Sequence, residues 1–355
     1  MSKDVILDKY ARLYEIPNQL ALLGHQVNAF CLSYQSHTQG TWDESSEQKT
    51  LVWHGKSYLG LSKPALLNYP WHLLRELKKL QPDIIIAASD IPHIIIGAWC
   101  AKKLGKPFAA DLYDNFESYQ QARIPFFTHL FHRALDKAQL ISTTSISLAD
   151  RVRHQHPDIH NILAMPSVID KSLFLPGEKL AARQKLNLPT TAKLVGTAGG
   201  LTKMKGIDDL FQAWAIIKER DDNVYLVLAG PTEANTPLPD DDRVIYLGLL
   251  AHQDVVCLFQ ALDIGILCIP DDDFGRYCFP QKAYEMLATE LTIIASAVGD
   301  MRNLLNESQL YSPSDYKGLA NRVIQQLNAL EKSNIDIPDW KQSIAMLEKG
   351  LVELL

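Results

Sequence analysis

No segment of this 355-residue chain stays apolar for the roughly 18–20 residues that a membrane-spanning helix needs. The two most hydrophobic stretches, 84–88 and 91–99, are interrupted by Asp90 and Pro92. The first residues, Met-Ser-Lys-Asp-Val-Ile-Leu-Asp, contain no long apolar core, so no secretory leader is readable. Only five cysteines occur (Cys31, Cys100, Cys257, Cys268 and Cys278), and none forms a CxxC pair. That spacing excludes a disulfide framework and a zinc ribbon, and it predicts buried free thiols in a reducing cytoplasm. The eleven histidines show no metal-ligand spacing and no Ser/His/Asp order. An excess of basic charge is also missing. The net charge is −6, which argues against a nucleic-acid partner.

What is present fits a globular α/β protein. A hydrophobic content of 47% over this length is enough for two ordinary cores, so two domains are expected. Charge is divided unevenly between them: residues 1–170 carry a net +1 and residues 171–355 a net −7. The first half is therefore the one suited to approach an anionic surface.

Val5-Ile-Leu reads as a first strand. Leu13 to Leu23 reads as a helix closed by Gly24, and His25 to Leu32 as the next strand. Residues 36–50 are polar and read as a loop. Trp71 to Leu80 has helical spacing, and Asp83 to Ala88, Phe108 to Leu112 and Leu140 to Thr144 are strand-like with helical patterns between them. A second alternating series begins at Lys193. Strands are expected at 193–198, 224–229, 244–247, 264–268 and 292–296, with helices at 205–219, 253–261 and 280–290. Alternation of this kind predicts doubly wound parallel sheets. The expected division is 1–172, 173–337, and a last amphipathic helix, 338–355, headed by Pro338-Asp-Trp340.

Two segments carry chemistry. Phe279-Pro-Gln-Lys-Ala-Tyr-Glu-Met-Leu-Ala288 places Pro280 where a helix starts, with Lys282 and Glu285 three residues apart on one face of its opening. A helix N-terminus with a lysine attracts phosphate, and Glu285 is placed to accept hydrogen bonds from ribose hydroxyls. Gly199-Gly-Leu-Thr-Lys-Met-Lys-Gly206 leaves a strand and enters a helix; its glycines let backbone N–H groups approach a phosphate, and Lys205 adds charge. Each segment also has a plain reading, as a surface lysine, a helix-turn acid or a simple connector.

Together the two segments resemble the nucleotide-sugar site of retaining GT-B glycosyltransferases, the family 4-like "glycosyl transferases group 1". The first is similar to that family's Phe-Pro-x-Lys-x-x-Glu helix and the second to its Gly-Arg-Leu-x-x-x-Lys-Gly loop. Leu228-Ala-Gly-Pro231, Leu247-Gly-Leu249 and Ala261-Leu-Asp-Ile-Gly-Ile-Leu267 resemble further donor-domain strand ends. Arg12 to Val27, with Gly24-His25, resembles the opening helix, and Trp340 with its helix the segment that crosses back to the first domain. The resemblance implies two Rossmann-like domains facing a cleft, the GT-B arrangement. It also implies transfer of a sugar from a nucleotide-diphosphate sugar to a hydroxyl of a glycan or lipid-linked acceptor, in polysaccharide or glycolipid synthesis. Donor contacts would fall on Gly199, Gly200, Lys205, Gly230, Leu249, Lys282 and Glu285, with Lys205, Lys282 and Asp114 in catalytic roles. No metal and no cofactor is expected, because lysines and helix dipoles can neutralise the diphosphate.

Asp111-Leu-Tyr-Asp-Asn-Phe-Glu117 follows a first-half strand, where ligand-facing loops sit in open parallel sheets. Tyr113, Asp114 and Glu117 are the acceptor-side candidates. The family pattern is broken at several positions. Its loop arginine falls on Gly200, its donor-sugar acid on Tyr277, its glycine before the last strand on Glu290, and its proline on Thr292. Asp271, Asp272 and Asp273 are nearby candidates to replace the missing acid. Gly200 and Tyr277 keep a non-catalytic binding subunit as an alternative, and a GT-B sugar-nucleotide epimerase is a second rival. Trp71 to Leu80 and Arg123 to Arg133 mix apolar or aromatic side chains with cations, so a peripheral contact with an anionic inner membrane face is an expectation alongside an ordinary cytoplasmic location.

Overall fold

A computed structural model describes residues 4–7, 9, 11–33, 39–57, 63–166, 168–169, 171–279, 281–331, 337 and 339–355. The chain divides into two units, Met1–Ser167 with Trp340–Leu355, and Val168–Asp339.

In the first unit, α1 (Ala11–Leu22) leads through Gly24, at φ +98°, into β1 (Gln26–Ser33). β1 pairs in parallel with β3 (Thr50–Ser57), and β2 (Gly40–Asp43) adds antiparallel to the other edge of β3. The strand period of two splits β3: Leu51 and Trp53 are buried on one face, while Val52, His54 and Lys56 are half-buried. After α2 (Lys63–Leu80) come β4 (Ile85–Ala87), α3 (Ile91–Leu104), β5 (Phe108–Leu112), α4 (Phe127–Leu135), β6 (Leu140–Thr143), α5 (Ile146–Gln155) and β7 (Ile162–Ala164). These four strands form a parallel sheet in the order β4-β5-β6-β7. Every residue of β5 and β6 is buried, as expected for strands covered on both faces.

The second unit holds α6 (Lys179–Lys185), β8 (Lys193–Ala198), α7 (Ile207–Arg220), β9 (Val224–Ala229), β10 (Val244–Tyr246) and α8 (His252–Ala261). It continues with β11 (Ile264–Leu267), α9 (Gln281–Ala288), β12 (Thr292–Ser296), α10 (Met301–Leu304), β13 (Leu310–Tyr311) and α11 (Tyr316–Asn328). Its six strands are parallel in the order β10-β9-β8-β11-β12-β13, so strand order reverses between β8 and β11. Leu194, Val227, Phe259 and Ile293 fill one side of this sheet, and Val195, Trp214, Leu226 and Ile294 the other. The last helix, α12 (Trp340–Val352), belongs to the first unit, where Ile344, Leu347 and Leu351 pack with Ile16, Leu20 and Leu140.

Three expectations are corrected. Val5–Leu7 is a turn, because the Asp4 carboxylate accepts the N–H groups of Ile6 and Leu7 at 2.9 and 3.0 Å and so competes with a strand ladder. The polar stretch 36–50 contains β2, whose Trp42 pairs across from Trp53; residues 36–38 lie outside the described residues. Its polar side chains suit an exposed edge strand, which is why composition concealed it. The first half also carries two sheets, one of them mixed, in place of one parallel sheet. Pro280 and Pro338 lie outside the described residues.

Candidate functional site

Open parallel sheets bind ligands beyond the carboxyl ends of their strands at the point where strand order reverses. In the second unit that point lies between β8 and β11, and the motif residues meet there. Gly199, the first residue past β8, has φ +135° and donates its N–H to Ala229 O at 2.9 Å. Gly230, at φ +126°, lies so close that a Cβ on it would stand 1.9 Å from the Gly199 carbonyl oxygen. The turn is laced further by Gly230 N–H to Gly248 O at 2.7 Å and by the Tyr246 hydroxyl donating to Gly230 O at 2.7 Å. Leu249, next after Gly248, is exposed.

Lys282, in the first turn of α9, runs its aliphatic end over Gly199; a Cβ there would meet Lys282 Cε at 3.0 Å. Its Nζ stands 3.2 Å from Glu285 Oε2. Glu285 is only 3% exposed, so this ion pair is anchored on its acidic side and half-open on its basic side. A side chain at Gly200 would meet only the Thr202 methyl group, at 3.7 Å, so the place of the family's arginine is open space.

Lys205 ends a short 3-10 turn, Lys203–Lys205, and its Nζ sits 4.6 Å from the centroid of the Phe274 ring. The structure therefore places Lys205 against the β11–α9 loop, while Lys203 pairs loosely with Asp208 at 3.7 Å. That loop is tied down by Ser296, whose Oγ accepts from Ile269 N–H at 2.8 Å and donates to Ile269 O at 2.7 Å. Asp272 accepts the N–H groups of Phe274 and Gly275, and Asp271 pairs with Arg276 at 2.6 Å. These two aspartates shape the loop. Tyr277, half-buried in the same loop, occupies the family's acid position.

In the first unit, β5 delivers Tyr113, Asp114 and Glu117. Asp114 accepts from Asn115 N–H at 2.8 Å and from the Tyr119 hydroxyl at 2.9 Å. Burial raises the pKa of Tyr113 and of Tyr119, and Asp114 adds to both shifts. Glu117 is bound to His132 Nε2 at 3.0 Å and to Arg151 Nη2 at 2.7 Å. The His132 bond holds its pKa down at about 2, against an opposing burial effect, with Arg151 adding to the depression. His132 Nδ1 continues to His156 Nε2 at 3.0 Å, and His156 Nδ1 to Asp136 at 2.6 Å. Glu117 thus belongs to a side-chain chain running through α4 and α5, separate from the hydrogen bonds of Asp114.

Sequence reasoning missed two features. Asp111 is fully buried and takes two hydrogen bonds from Arg12 Nε, at 2.9 and 3.0 Å, and one from Ser142 Oγ at 2.6 Å. Arg12 Nη1 also reaches Met165 O, which joins α1 to the ends of β5, β6 and β7. The available signal was position: Arg12, Ile16 and Leu20 share one helical face, and both apolar members are core. The second feature is Phe274, a lone aromatic beside three aspartates. Among the described residues, no group of three His, Cys, Asp or Glu is arranged to hold a metal ion, and no helix is long and apolar enough to cross a membrane.

The strand order and the α12 return define the architecture as GT-B. Solved structures of that fold superpose on the chain. Sucrose-phosphate synthase from Thermosynechococcus elongatus does so with a TM-score of 0.67 at 18% identity, covering 96% of this chain and 88% of that one. An E. coli trehalose-6-phosphate structure bound with UDP-2-fluoro glucose gives 0.66 at 14% identity, over 96% and 92%. Anabaena HepE in complex with UDP-glucose gives 0.59 at 18% identity, over 86% and 84%. Family models match both halves: "Glycosyltransferase Family 4" over residues 11–171 and "Glycosyl transferases group 1" over residues 192–329. The chain belongs to this family of GT-B glycosyltransferases. Among curated proteins it is similar to D-inositol 3-phosphate glycosyltransferase of Corynebacterium aurimucosum, at 28% identity over 46% of this chain and 41% of that protein. The Corynebacterium efficiens protein of the same name matches at 27% over 47% and 42%. The chain thus spans about four-tenths of the length of the curated relatives it matches.

Proposed function

We propose that the protein transfers a sugar from a nucleotide-diphosphate sugar to a hydroxyl acceptor, with retention of anomeric configuration and without a bound metal. The observation that carries this reading is the convergence of Gly199, Gly230, Lys282 and Glu285 at the strand-order reversal of the second unit. Gly230 lets the turn pack against the Gly199 backbone, and Gly199 lets the Lys282 stem lie over it, which brings the lysine to the end of β8. Lys282 supplies a cation at the α9 N-terminus, where the helix dipole adds to it. Glu285, buried and fixed by Lys282, is the acceptor for ribose hydroxyls. Negative charge grows on the departing diphosphate as the glycosidic bond lengthens, so preorganised positive groups act most strongly there. Lys205 joins them by leaving the Phe274 ring. No protein nucleophile is assigned.

Tyr113 and Asp114 are the proposed acceptor-side groups, with Glu117 supporting α4 and α5 behind them. The acceptor is a glycan or lipid-linked hydroxyl in polysaccharide or glycolipid synthesis. A peripheral contact with anionic lipid is part of the same reading, supported by exposed Arg123, Ile124, Phe126, Leu130 and Arg133. A second reading, nucleotide-sugar binding without transfer, is favoured by Tyr277 at the acid position and by the open space at Gly200.

Purified protein incubated with a panel of UDP- and GDP-sugars and candidate acceptors, followed by proton NMR of the anomeric signal, tests the assignment. Transfer with an unchanged anomeric configuration in the presence of EDTA is the expected result. Binding of UDP without turnover of any donor selects the second reading, and inversion at the anomeric carbon refutes retention.

A further inference from the structure

Glu117, His132, His156 and Asp136 form one line of hydrogen bonds in the first unit, with a carboxylate at each end and two imidazoles between. The line ties the short 3-10 turn Phe116–Ser118 to α4, and α4 to His156, which closes α5. Its middle contact runs from His132 Nδ1 to His156 Nε2 at 3.0 Å. The ring centroids stand 5.1 Å apart, so the two nitrogens lie nearly on the line between them and the rings meet edge to edge. His156 is buried and His132 half-buried.

The two ends fix where the protons sit. An ionised carboxylate only accepts, and the Glu117 pKa is held down at about 2. His132 Nε2 therefore carries a proton toward Glu117, and His156 Nδ1 carries one toward Asp136. With both rings neutral, His132 Nδ1 and His156 Nε2 would present two lone pairs to each other at 3.0 Å. Facing acceptors away from water, with no donor between them, are costly. A third proton between them turns that repulsion into a charge-assisted bond, and its positive charge is balanced by the carboxylates at both ends. A fourth proton would set two N–H groups against each other and break the contact.

The surroundings leave this count intact. Arg151 Nη2 at 2.7 Å and Gln155 Nε2 at 3.5 Å bond Glu117, not the imidazoles. Packed on α4, α3 brings His93, Cys100, Lys102 and Lys103, and the 3-10 turn Gln120–Arg123 brings Arg123. α4 and α5 themselves add His129, Arg133, Asp150, Arg153 and His154, while β6 and β7 carry no ionisable side chain. Among the described residues, none of these hydrogen-bonds to either imidazole.

We propose that the His132–His156 pair shares one proton and works as a pH-operated latch, which opens at its Asp136 end and stays closed at its Glu117 end. The two ends differ in what they lose. The Glu117 side chain is 19% exposed and keeps Arg151, whereas Asp136 is 59% exposed and has His156 as its one side-chain partner among the described residues. As pH rises, the His156 Nδ1 proton leaves to water beside Asp136, and the Asp136 carboxylate turns to solvent. The bridging proton stays on His156 Nε2 and is donated to His132 Nδ1. The turn that carries Glu117, just beyond Asp114, is thus held in both states, while the Asp136 end of α4 is released.

The test uses the full chain labelled with ¹⁵N-histidine, with the two rings assigned by His132→Gln and His156→Gln. Titration runs across the ordinary imidazole value of about 6.5. At neutral pH, His132 Nε2 and His156 Nδ1 are expected as N–H groups. The two facing nitrogens should show intermediate shifts that report one proton between them. Both rings should then change together at one midpoint, after which His156 is the Nε2–H tautomer. Asp136→Asn, a change at an exposed side chain, should move that midpoint to lower pH, because it removes a charge that holds the proton. Folding stability gives a second readout. The unfolded chain binds two protons on these histidines at acid pH and none at alkaline pH, against one in the folded pair. The pair's contribution therefore peaks between and falls on both sides, each limb approaching about a tenfold change in the folding constant per pH unit. It is read as the difference between wild type and His132→Gln with His156→Gln. Facing nitrogens that are both bare at neutral pH, two independent midpoints, a His156 that ends as the Nδ1–H tautomer, an unmoved midpoint in Asp136→Asn, or a stability difference that ignores pH overturns the proposal. If the double variant fails to fold, the spectra of wild type and Asp136→Asn still decide.

Discussion

Lys282 and Glu285 face each other across one turn of α9, Nζ to Oε2 3.2 Å, with the lysine stem lying over Gly199. The proposed cation for a phosphate and the proposed acceptor for a ribose are thus paired with each other before any nucleotide arrives. Removing either leaves the other altered. Lys282→Ala strands a buried carboxylate, and Glu285→Ala frees a lysine that is already half-exposed.

The expected outcome is asymmetric. Lys282→Ala should weaken UDP binding by about 1–3 kcal/mol and also lower the melting temperature, because Glu285 loses its partner. Glu285→Gln should weaken nucleotide binding with little change in melting. Calorimetric titration and thermal melts of the two variants check this, and wild-type affinity in both removes the pair from the donor site.

Phe274 and Lys205 form a cation–π contact at 4.6 Å, worth about 0.5–1 kcal/mol at an exposed site. If the diphosphate draws Lys205 off the ring, Phe274→Leu removes a competitor. UDP affinity should then rise about two- to fivefold, the fold-change equivalent of that energy. Lys205→Ala should weaken UDP and cancel the effect of Phe274→Leu, a coupling read from the double-mutant cycle. An additive cycle would show that the two residues act apart.

Much of the second unit was legible because its strands are buried on both faces and end in glycine turns. Strands 193–198, 224–229 and 292–296 run where the apolar runs place them. The resemblance located Gly199, Lys282 and Glu285, and the structure brings these three together. What escaped depends on distant partners. The Arg12–Asp111 pair joins residues 99 positions apart, and Lys205 is turned aside by a loop aromatic that no spacing rule links to it. β2 escaped because an edge strand needs little hydrophobicity. Glu290, where the family has glycine, takes the left-handed conformation that glycine favours, at φ +60°. The departure changes the residue and keeps the turn.

Glu117 gives a pH signature. Its pKa lies at about 2, below the ordinary 4.5, so folding is stabilised by its ionised form at neutral pH. That contribution is complete above about 4.5 and is lost as pH falls through about 2; a shift of this size is worth roughly 3 kcal/mol. Urea unfolding measured from neutral pH down to about pH 2 should show stability falling through this window. Glu117→Gln should be less stable at neutral pH and should flatten the acid limb. An unchanged acid limb in Glu117→Gln would mean that other carboxylates set it.

The segment entering α4 is the sharpest apolar exposure in the first unit. Phe126 is 79% exposed and adopts φ +68°, a conformation costly for a bulky residue, with Ile124 and Leu130 exposed beside it. Arg123 and Arg133 flank them without an acidic partner among the described residues. Aromatic and aliphatic side chains framed by arginines suit the boundary of an anionic bilayer, where each cation contributes about 1 kcal/mol and salt removes it progressively. Flotation with phosphatidylglycerol vesicles should therefore recover the protein at low salt and lose it at high salt. Arg123→Ser with Arg133→Ser should reduce the recovery and its salt dependence together. Phe126→Ser should reduce recovery while leaving the salt dependence, because it removes inserted apolar surface and no charge. Recovery that ignores lipid charge, salt and all three substitutions would show that this face meets no membrane, and a soluble glycan acceptor would take its place.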